Sequence, residues 1–380
     1  MADRVYGVLL VSFSKHSHQS SFVPAFVDHP RIRIVGVADD ADIDPYLKPL
    51  NRTWAEQLDV PFMEGIEAAV QRDEVDVVSI GHEIERRAEI ARLAARTGKH
   101  LWIDKYIGAN MRECREVVDT VERSKVTSIL PSYVYNDFVN QSKRMIDAGI
   151  LGELTAMHVD ILFGKGIPRP ISNAQRKPGF LPPGRWKFPD IKRELLTVGA
   201  YAVALVQQCF DPIVEVYGQG GAHFFPEHAA HGADDFGTLT LVDRSGRVAT
   251  LSAGRNGIAS HGAGGPNLAY LFGTKGTGRI DGKRPGIDTH LRNRVVDGDY
   301  CVDEDDPMQW HSGPPTLLTS TGTEFTRAAL DDLVHALDTG SRPRFTVREA
   351  RDHMEVLLAG YESIVRNRPV RLPLCGGEAA

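Results

Sequence analysis

The first 132 residues alternate short apolar runs with helical stretches, and this alternation constrains the fold more than any other feature of the chain. Residues 5–11 (VYGVLLV) are a continuous apolar run, as expected of a strand buried on both faces. A polar loop, Ser12 to His18, leads into a helix to about Asp28. A second strand, Ile32 to Ala38, ends at Asp39-Asp40. Helices around 51–58 and 64–72 precede a strand from Val75 to Ile80. A helix over 84–97, a strand from Leu101 to Ile103, a helix over 110–124 and a strand over 127–132 complete the series. This rhythm predicts an α/β fold over 1–132, a Rossmann-like doubly wound parallel sheet.

From residue 133 the pattern changes. A helix over 138–149 ends at Gly149, and Gly152 opens a strand from Leu154 to Phe163. Gly164 to Lys192 is a basic loop of roughly thirty residues, and loops that long usually have a function of their own or are disordered. A helix over 194–209 follows. The strands Ile213 to Gly218, Gly237 to Asp243, Arg247 to Gly254 and Ala269 to Gly273 are antiparallel in character, with Asp243-Arg244-Ser245-Gly246 as a hairpin turn. Helices over 325–339 and 346–367 and a strand from Val370 to Leu372 end the pattern. Residues 133–380 are therefore predicted to form an α+β domain on a large, mostly antiparallel open sheet, serving substrate binding and oligomerisation.

A chain of 380 residues is long enough for two cores. The net charge of -6 gives no electrostatic case for nucleic acid or a membrane surface. The apolar run Val8 to Val11 is too short for a signal peptide or a membrane span. Cys114, Cys209, Cys301 and Cys375 lie far apart without a CxxC pair, which suits reduced thiols and a cytoplasmic protein. His223, His228 and His231 match no metal-ligand spacing and read as a loop, so no metal is expected.

In an open parallel sheet, ligands gather beyond the carboxyl ends of the strands. At the first such turn a dinucleotide-binding unit wants G-x-G-x-x-G, so that backbone can approach a pyrophosphate at a helix N-terminus. Here Ser12, Ser14 and Ser17 occupy that register. Serine's Cβ makes positive φ costlier than for glycine, but its hydroxyls can bond phosphate. Serine is also an ordinary N-cap residue. Asp39, roughly 20 residues on, is placed to bind the ribose 2′-hydroxyl of NAD and to repel the 2′-phosphate of NADP. Phe13, His16, Gly81, His82, Asp104 and Lys105 complete the expected cofactor set.

Lys105 leaves the strand Leu101 to Ile103 where a second domain would close the crevice. On the helix over 194–209, Glu194, Thr197, Tyr201 and Gln208 form one polar stripe among apolar neighbours. The basic loop carries Lys165, Arg169, Arg176, Lys177, Arg185, Lys187 and Lys192 against one acid, Asp190. If that loop covers the crevice, it favours a hydroxyl-rich or carboxylated substrate, with Arg185 and Trp186 among the contacts.

Four stretches carry a resemblance. Gly98 to Tyr106 (GKHLWIDKY) looks like "AGKHVxxEKP", and Gly149 to Leu154 (GILGEL) like "SGxIGxI". Phe272 to Ile280 looks like "GTxGxxxI", and Arg368 to Pro373 like "GxPVxLP". Together and in this order they resemble the Gfo/Idh/MocA oxidoreductases. The resemblance implies NAD(P) and hydride transfer at a sugar or polyol carbon. It also implies self-association, here as a dimer or tetramer.

Two motifs depart from the family. EKP is Asp104-Lys105-Tyr106, and D-x-G-x-H falls on Thr197-Val198-Gly199-Ala200-Tyr201, which removes a carboxylate at Thr197. Tyrosine in the last place is the acid/base in glucose–fructose oxidoreductase-like members. The resemblance therefore assigns Tyr201 as acid/base, with Lys105 orienting and polarising the reacting oxygen. Free Tyr and Lys titrate near 10 and near 10.4, so each needs a neighbour to act at neutral pH, and the opposite assignment stays open. Thr197 would hydrogen-bond substrate, and Glu194 would replace the lost carboxylate. The expected function is NAD-dependent oxidation or reduction of a sugar, polyol or sugar acid. A non-catalytic nucleotide- or sugar-binding sensor or partner subunit is the alternative, and a lyase or hydrolase using NAD transiently fits the same residues.

Overall fold

The computed structural model describes residues 4–14, 17–43, 45–164, 167–171, 187–188, 191–257, 267–281, 286–291, 316–318 and 325–374. Its first unit runs β1 (Tyr6–Val11), α1 (Gln19–Asp28), β2 (Ile32–Asp39), α2 (Leu47–Gln57), β3 (Phe62–Glu64), α3 (Ile66–Val70), β4 (Val77–Ile80), α4 (Ile84–Arg96), β5 (His100–Ile103), α5 (Met111–Ser124) and β6 (Ser128–Ile129). The sheet order is β3-β2-β1-β4-β5-β6, and every pair is parallel. The order reverses between β1 and β4, which opens a crevice beyond their carboxyl ends. All six residues of β1 are buried because helices cover both faces. Trp102 fills one face, edge-on to Phe22 and Phe26 with ring centroids 5.5 and 5.2 Å away.

Several boundaries differ from the sequence reading, three of them at strands β3, β4 and β6. β3 is a short edge strand that its mixed pattern did not reveal. β4 starts at Val77 because the Asp76 carboxylate turns to the Gly7 amide, 2.8 Å away. β6 stops at Ile129, short of 132, because the Leu130 amide donates to Phe345 O instead of a strand.

The second unit runs α6 (Asp137–Asp147), β7 (Leu154–Phe163), β8 (Lys187–Phe188), β9 (Ile191–Lys192), α7 (Glu194–Cys209), β10 (Ile213–Gly221), α8 (Pro226–Ala230), β11 (Phe236–Asp243), β12 (Val248–Arg255), β13 (Asn267–Gly273), β14 (Gly276–Asp281), β15 (Gly286–Leu291), β16 (Thr316–Leu318), α9 (Phe325–Thr339), α10 (Val347–Arg366) and β17 (Val370–Arg371). Its nine-stranded sheet has the order β16-β15-β14-β13-β7-β12-β11-β10-β17. The sheet is antiparallel except where β7 pairs with β12. The expected turn forms: the Gly246 amide donates to Asp243 O, and the Asp243 carboxylate accepts the Ser245 and Arg247 amides.

α7 and α10 cover one face of this sheet. They pack so closely that a Cβ at Gly199 would lie 3.1 Å from Leu357 Cδ2. The stretch 164–192, read as a loop, contains the antiparallel β8–β9 pair. His228 lies on α8 rather than in a loop. Among the described residues no group of three or more His, Cys, Asp or Glu could hold a metal, and no helix is long and apolar enough to cross a membrane.

The last two helices return toward the first unit. Asp338 on α9 accepts from Tyr6 Oη and from Arg31 Nη2, both at 2.7 Å, and Asp331 lies 3.3 Å from His29 Nε2. α10 follows with a capping box in which Thr346 and Glu349 satisfy each other's backbone amides.

Candidate active site

The first turn after β1 carries Ser12 at φ +63°, the left-handed conformation that a fingerprint glycine would take. Ser14 Oγ donates to Glu83 Oε1 at 2.6 Å, and Ser17 Oγ donates to Ser14 O at 2.8 Å. The Phe13 amide donates to Asn51 Oδ1 at 2.7 Å, and the Phe13 ring stacks on Trp54 with centroids 4.7 Å apart. A left-handed turn opening onto the N-terminus of α1 fits a dinucleotide pyrophosphate. Asp39, at the end of β2, is fully buried. It accepts from Asn51 Nδ2 at 2.7 Å and lies 3.2 Å from His82 Nε2. Burial alone would raise its pKa, but His82, Ser12 and the Asp40 amide together hold it below the ordinary value. Gly81 packs under this turn, where a Cβ would meet Gln19 Cβ at 2.6 Å.

Asp104 and Lys105 follow β5, and the Lys105–Tyr106 peptide is cis. Asp104 is buried and acts as an anchor. Its carboxylate accepts the His18 amide at 2.8 Å and faces His18 Nδ1 at 2.9 Å. It also faces Arg87 Nη2 at 3.4 Å. Burial opposes the charge, but His18 and Arg87 outweigh it and hold Asp104 well below the usual carboxylate range. An ionised Asp104 makes His18 Nδ1 a protonated nitrogen, and Nε2 is the ring nitrogen away from it. That Nε2 lies 3.4 Å from Tyr201 Oη.

α7 delivers the opposing wall. Asp234 fixes its first turn by accepting the Leu195 amide at 2.5 Å, and Tyr361 Oη donates to the same carboxyl at 3.0 Å. Burial pushes the Asp234 pKa up to about 6. Glu194, Thr197 and Tyr201 then line one cavity with His18, Lys105 and Lys192, in a space of about 210 Å³. Lys105 Nζ donates to Thr197 O at 2.5 Å and sits 4.7 Å from the centre of the Tyr201 ring. Tyr106 Oη donates to Leu196 O, so the residue after the lysine also locks β5 to α7. Glu194 is buried and pairs with Arg255 Nη2 at 2.8 Å.

The electrostatics divide the lysine and the tyrosine. Burial, with Lys192 and Arg87 nearby, lowers Lys105 to about 7 despite Asp104 and Glu194. Burial, with the Asp104 charge, raises Tyr201 well above its ordinary value. Desolvation thus outweighs the attraction that a neighbouring ammonium would offer a tyrosinate.

The structure thus brings Lys105, Thr197, Tyr201 and Glu194 together. Gln208, on the predicted stripe, lines a different recess with Gln207 and Phe210, because fourteen residues carry it about 21 Å along the helix axis from Glu194. His16, Arg185 and Trp186 lie outside the described residues. Sequence reasoning missed His18, Arg87 and Arg255. Arg87 was recoverable, since it shares the helix face of the apolar residues Ile84, Ala88 and Ala91, where a cation needs a buried partner.

Residues 15–131 match the oxidoreductase family with an NAD-binding Rossmann fold, and residues 139–279 match the GFO/IDH/MocA C-terminal domain. The chain belongs to the GFO/IDH/MocA oxidoreductase family. Within it, the uncharacterized oxidoreductase YrbE of Bacillus subtilis strain 168 is 21% identical over 236 residues, which are 62% of this chain and 64% of that protein. The chain spans 33% and 64% of the lengths of the curated relatives it matches. Among solved structures, the aldose-aldose oxidoreductase from Caulobacter crescentus, complexed with glycerol, superposes with a TM-score of 0.74 at 16% identity, covering 97% of this chain and 100% of that one. The WlbA dehydrogenase from Bordetella pertussis, in complex with NADH and UDP-GlcNAcA, gives 0.72 at 16% identity, covering 99% and 100%. At such identities the likeness establishes the fold.

Proposed function

We propose that this GFO/IDH/MocA member is an NAD-dependent oxidoreductase acting on a carbinol carbon of a sugar, polyol or sugar acid, with Lys105 as the proton acceptor. The observation that carries the reading is Lys105 Nζ, lowered to about 7 and set between Thr197 and Tyr201 where the two units meet. A general base works best when its pKa lies near the operating pH. The Ser12–Ser17 turn and the N-terminus of α1 would hold the pyrophosphate, with Asp39 on the ribose side. A buried carboxylate there disfavours a 2′-phosphate, so NAD is preferred to NADP. Bound nicotinamide supplies the hydride acceptor.

The protein's own groups do the rest. Neutral Lys105 takes the carbinol proton as hydride leaves carbon. Tyr201 keeps its proton at neutral pH and donates it in a hydrogen bond to the carbinol oxygen, with His18 Nε2 3.4 Å from the phenol oxygen. Asp104 and Arg87 fix His18, whose partly exposed ring connects the site to water. Thr197 Oγ1 offers a neutral hydrogen bond where the family motif has a charge. We place the cofactor on the 1–132 unit and the substrate on the 133–380 unit, in a cytoplasmic homo-oligomer. Tyr217 and Phe272, both more than a third exposed on the sheet, support self-association.

The test joins binding to turnover. NADH fluorescence should change on binding, NADPH should bind at least about tenfold more weakly, and nicotinamide absorbance should change with a sugar or polyol panel. Cofactor binding without turnover on any of them would return the protein to the sensor class.

A further inference from the structure

The basic stretch Gly164 to Lys192 is unused by the proton chemistry above. Arg169 turns away from the cavity and pairs with Glu227. Lys192 does not. β8–β9 pairing ends the stretch at the cavity wall, beside Glu194 and Arg255. The charges lining this cavity can be paired one by one. Arg87 faces Asp104, and Arg255 faces Glu194. Glu83, at the His18 end, accepts the hydroxyls of Ser14 and Tyr46. Lys105 Nζ is committed to Thr197 O. Among the described residues Lys192 has no hydrogen bond or ion pair, although it is half-buried and lines the cavity. A half-buried ammonium whose main opposing charge, Glu194, is already paired with Arg255 costs free energy that a ligand's negative group would recover.

We propose that this end of the cavity is a carboxylate subsite, where Lys192, flanked by Arg255, holds the acid group of a monocarboxylated sugar of the uronate or aldonate class. Its placement opposite Lys105 rests on the oxidoreductase reading, because the same molecule then presents its carbinol to the base. Among the described residues Lys192 is the lining cation held by neither an ion pair nor a hydrogen bond, which matches one carboxylate, whereas a phosphate ester would bring about two negative charges against Glu194. Glu194, buried and paired with Arg255, brings negative charge to this end of the cavity. It would also repel a second acid group, which sets the limit at one.

Binding of glucuronate, gluconate, glucose and glucose 6-phosphate to the full chain is measured by calorimetry, with NAD-linked turnover followed in parallel. The acids should bind at least about tenfold more tightly than glucose, as a charge-assisted contact implies. Lys192→Met should reduce that acid-to-neutral ratio about tenfold, and Lys192→Arg should retain it. Circular dichroism checks that both variants fold. Equal binding of acid and neutral sugars, tighter binding of the phosphate ester, an unchanged ratio in Lys192→Met, or no binding of either acid overturns the subsite. Acids that bind without turnover leave the subsite standing and remove the oxidoreductase reading. Turnover of glucose without acid preference does the reverse.

Discussion

In the proposed function Lys105 works as a neutral amine, and its burial is what favours that form. Lys105 is lowered to about 7 chiefly by desolvation, so its charged form is disfavoured in the folded state. The unfolded chain binds that proton up to near 10.4, so between about 7 and about 10.4 the unfolded state binds more protons and stability rises with pH. The penalty is therefore full below 7 and gone near 10. Lys105→Met should raise the thermal midpoint most below pH 7, with the gain fading toward pH 10, and thermal unfolding across pH reads this directly. Asp104 is the opposite case. It and Arg87 are both nearly inaccessible, and removing one partner of a buried pair strands the other. Asp104→Asn should cost about 3 kcal/mol, read as a lower urea midpoint at unchanged slope.

At the scale of elements, the turn after β1 shows what sequence reveals and what it hides. Ser12, Ser14 and Ser17 marked the register of a dinucleotide loop, and Ser12 takes the left-handed turn that register demands. That conformation costs roughly 1 kcal/mol for a residue with a Cβ, and glycine removes the cost. Ser12→Gly should stabilise the fold by up to about 1 kcal/mol without weakening NADH binding. A fall in the urea midpoint would mean that the Ser12 hydroxyl's contact with Asp39 outweighs the strain. The polar stripe on α7 was legible because three of its four residues share the cavity. Its partners were not. His18 and Arg87 join Asp104 across separations of 86 and 17 residues, and no local periodicity encodes such a meeting. The direction of the Tyr201 shift was hidden for the same reason, since desolvation depends on what the other unit places over the phenol.

At the scale of the molecule, strand–helix alternation followed by lengthening strands was enough to predict a parallel sheet and an open, mostly antiparallel one. It was not enough to show that α9, far along the chain, would return to α1. Asp338 holds Tyr6 and Arg31, and Phe345 O takes the Leu130 amide, so the ends of the chain close the first unit. A fragment of residues 1–132 alone should fail to give a cooperative unfolding transition, while the full chain unfolds with both units together. In the proposed function a lysine from one unit accepts a proton from a substrate held by the other. The most direct test is kcat/KM for sugar oxidation against pH in the wild type and in Lys105→Ala. The wild type should rise through an apparent pKa near 7 and level off above it. The variant should lose that limb and roughly a thousandfold of the rate. A limb that survives unchanged in Lys105→Ala would contradict the account.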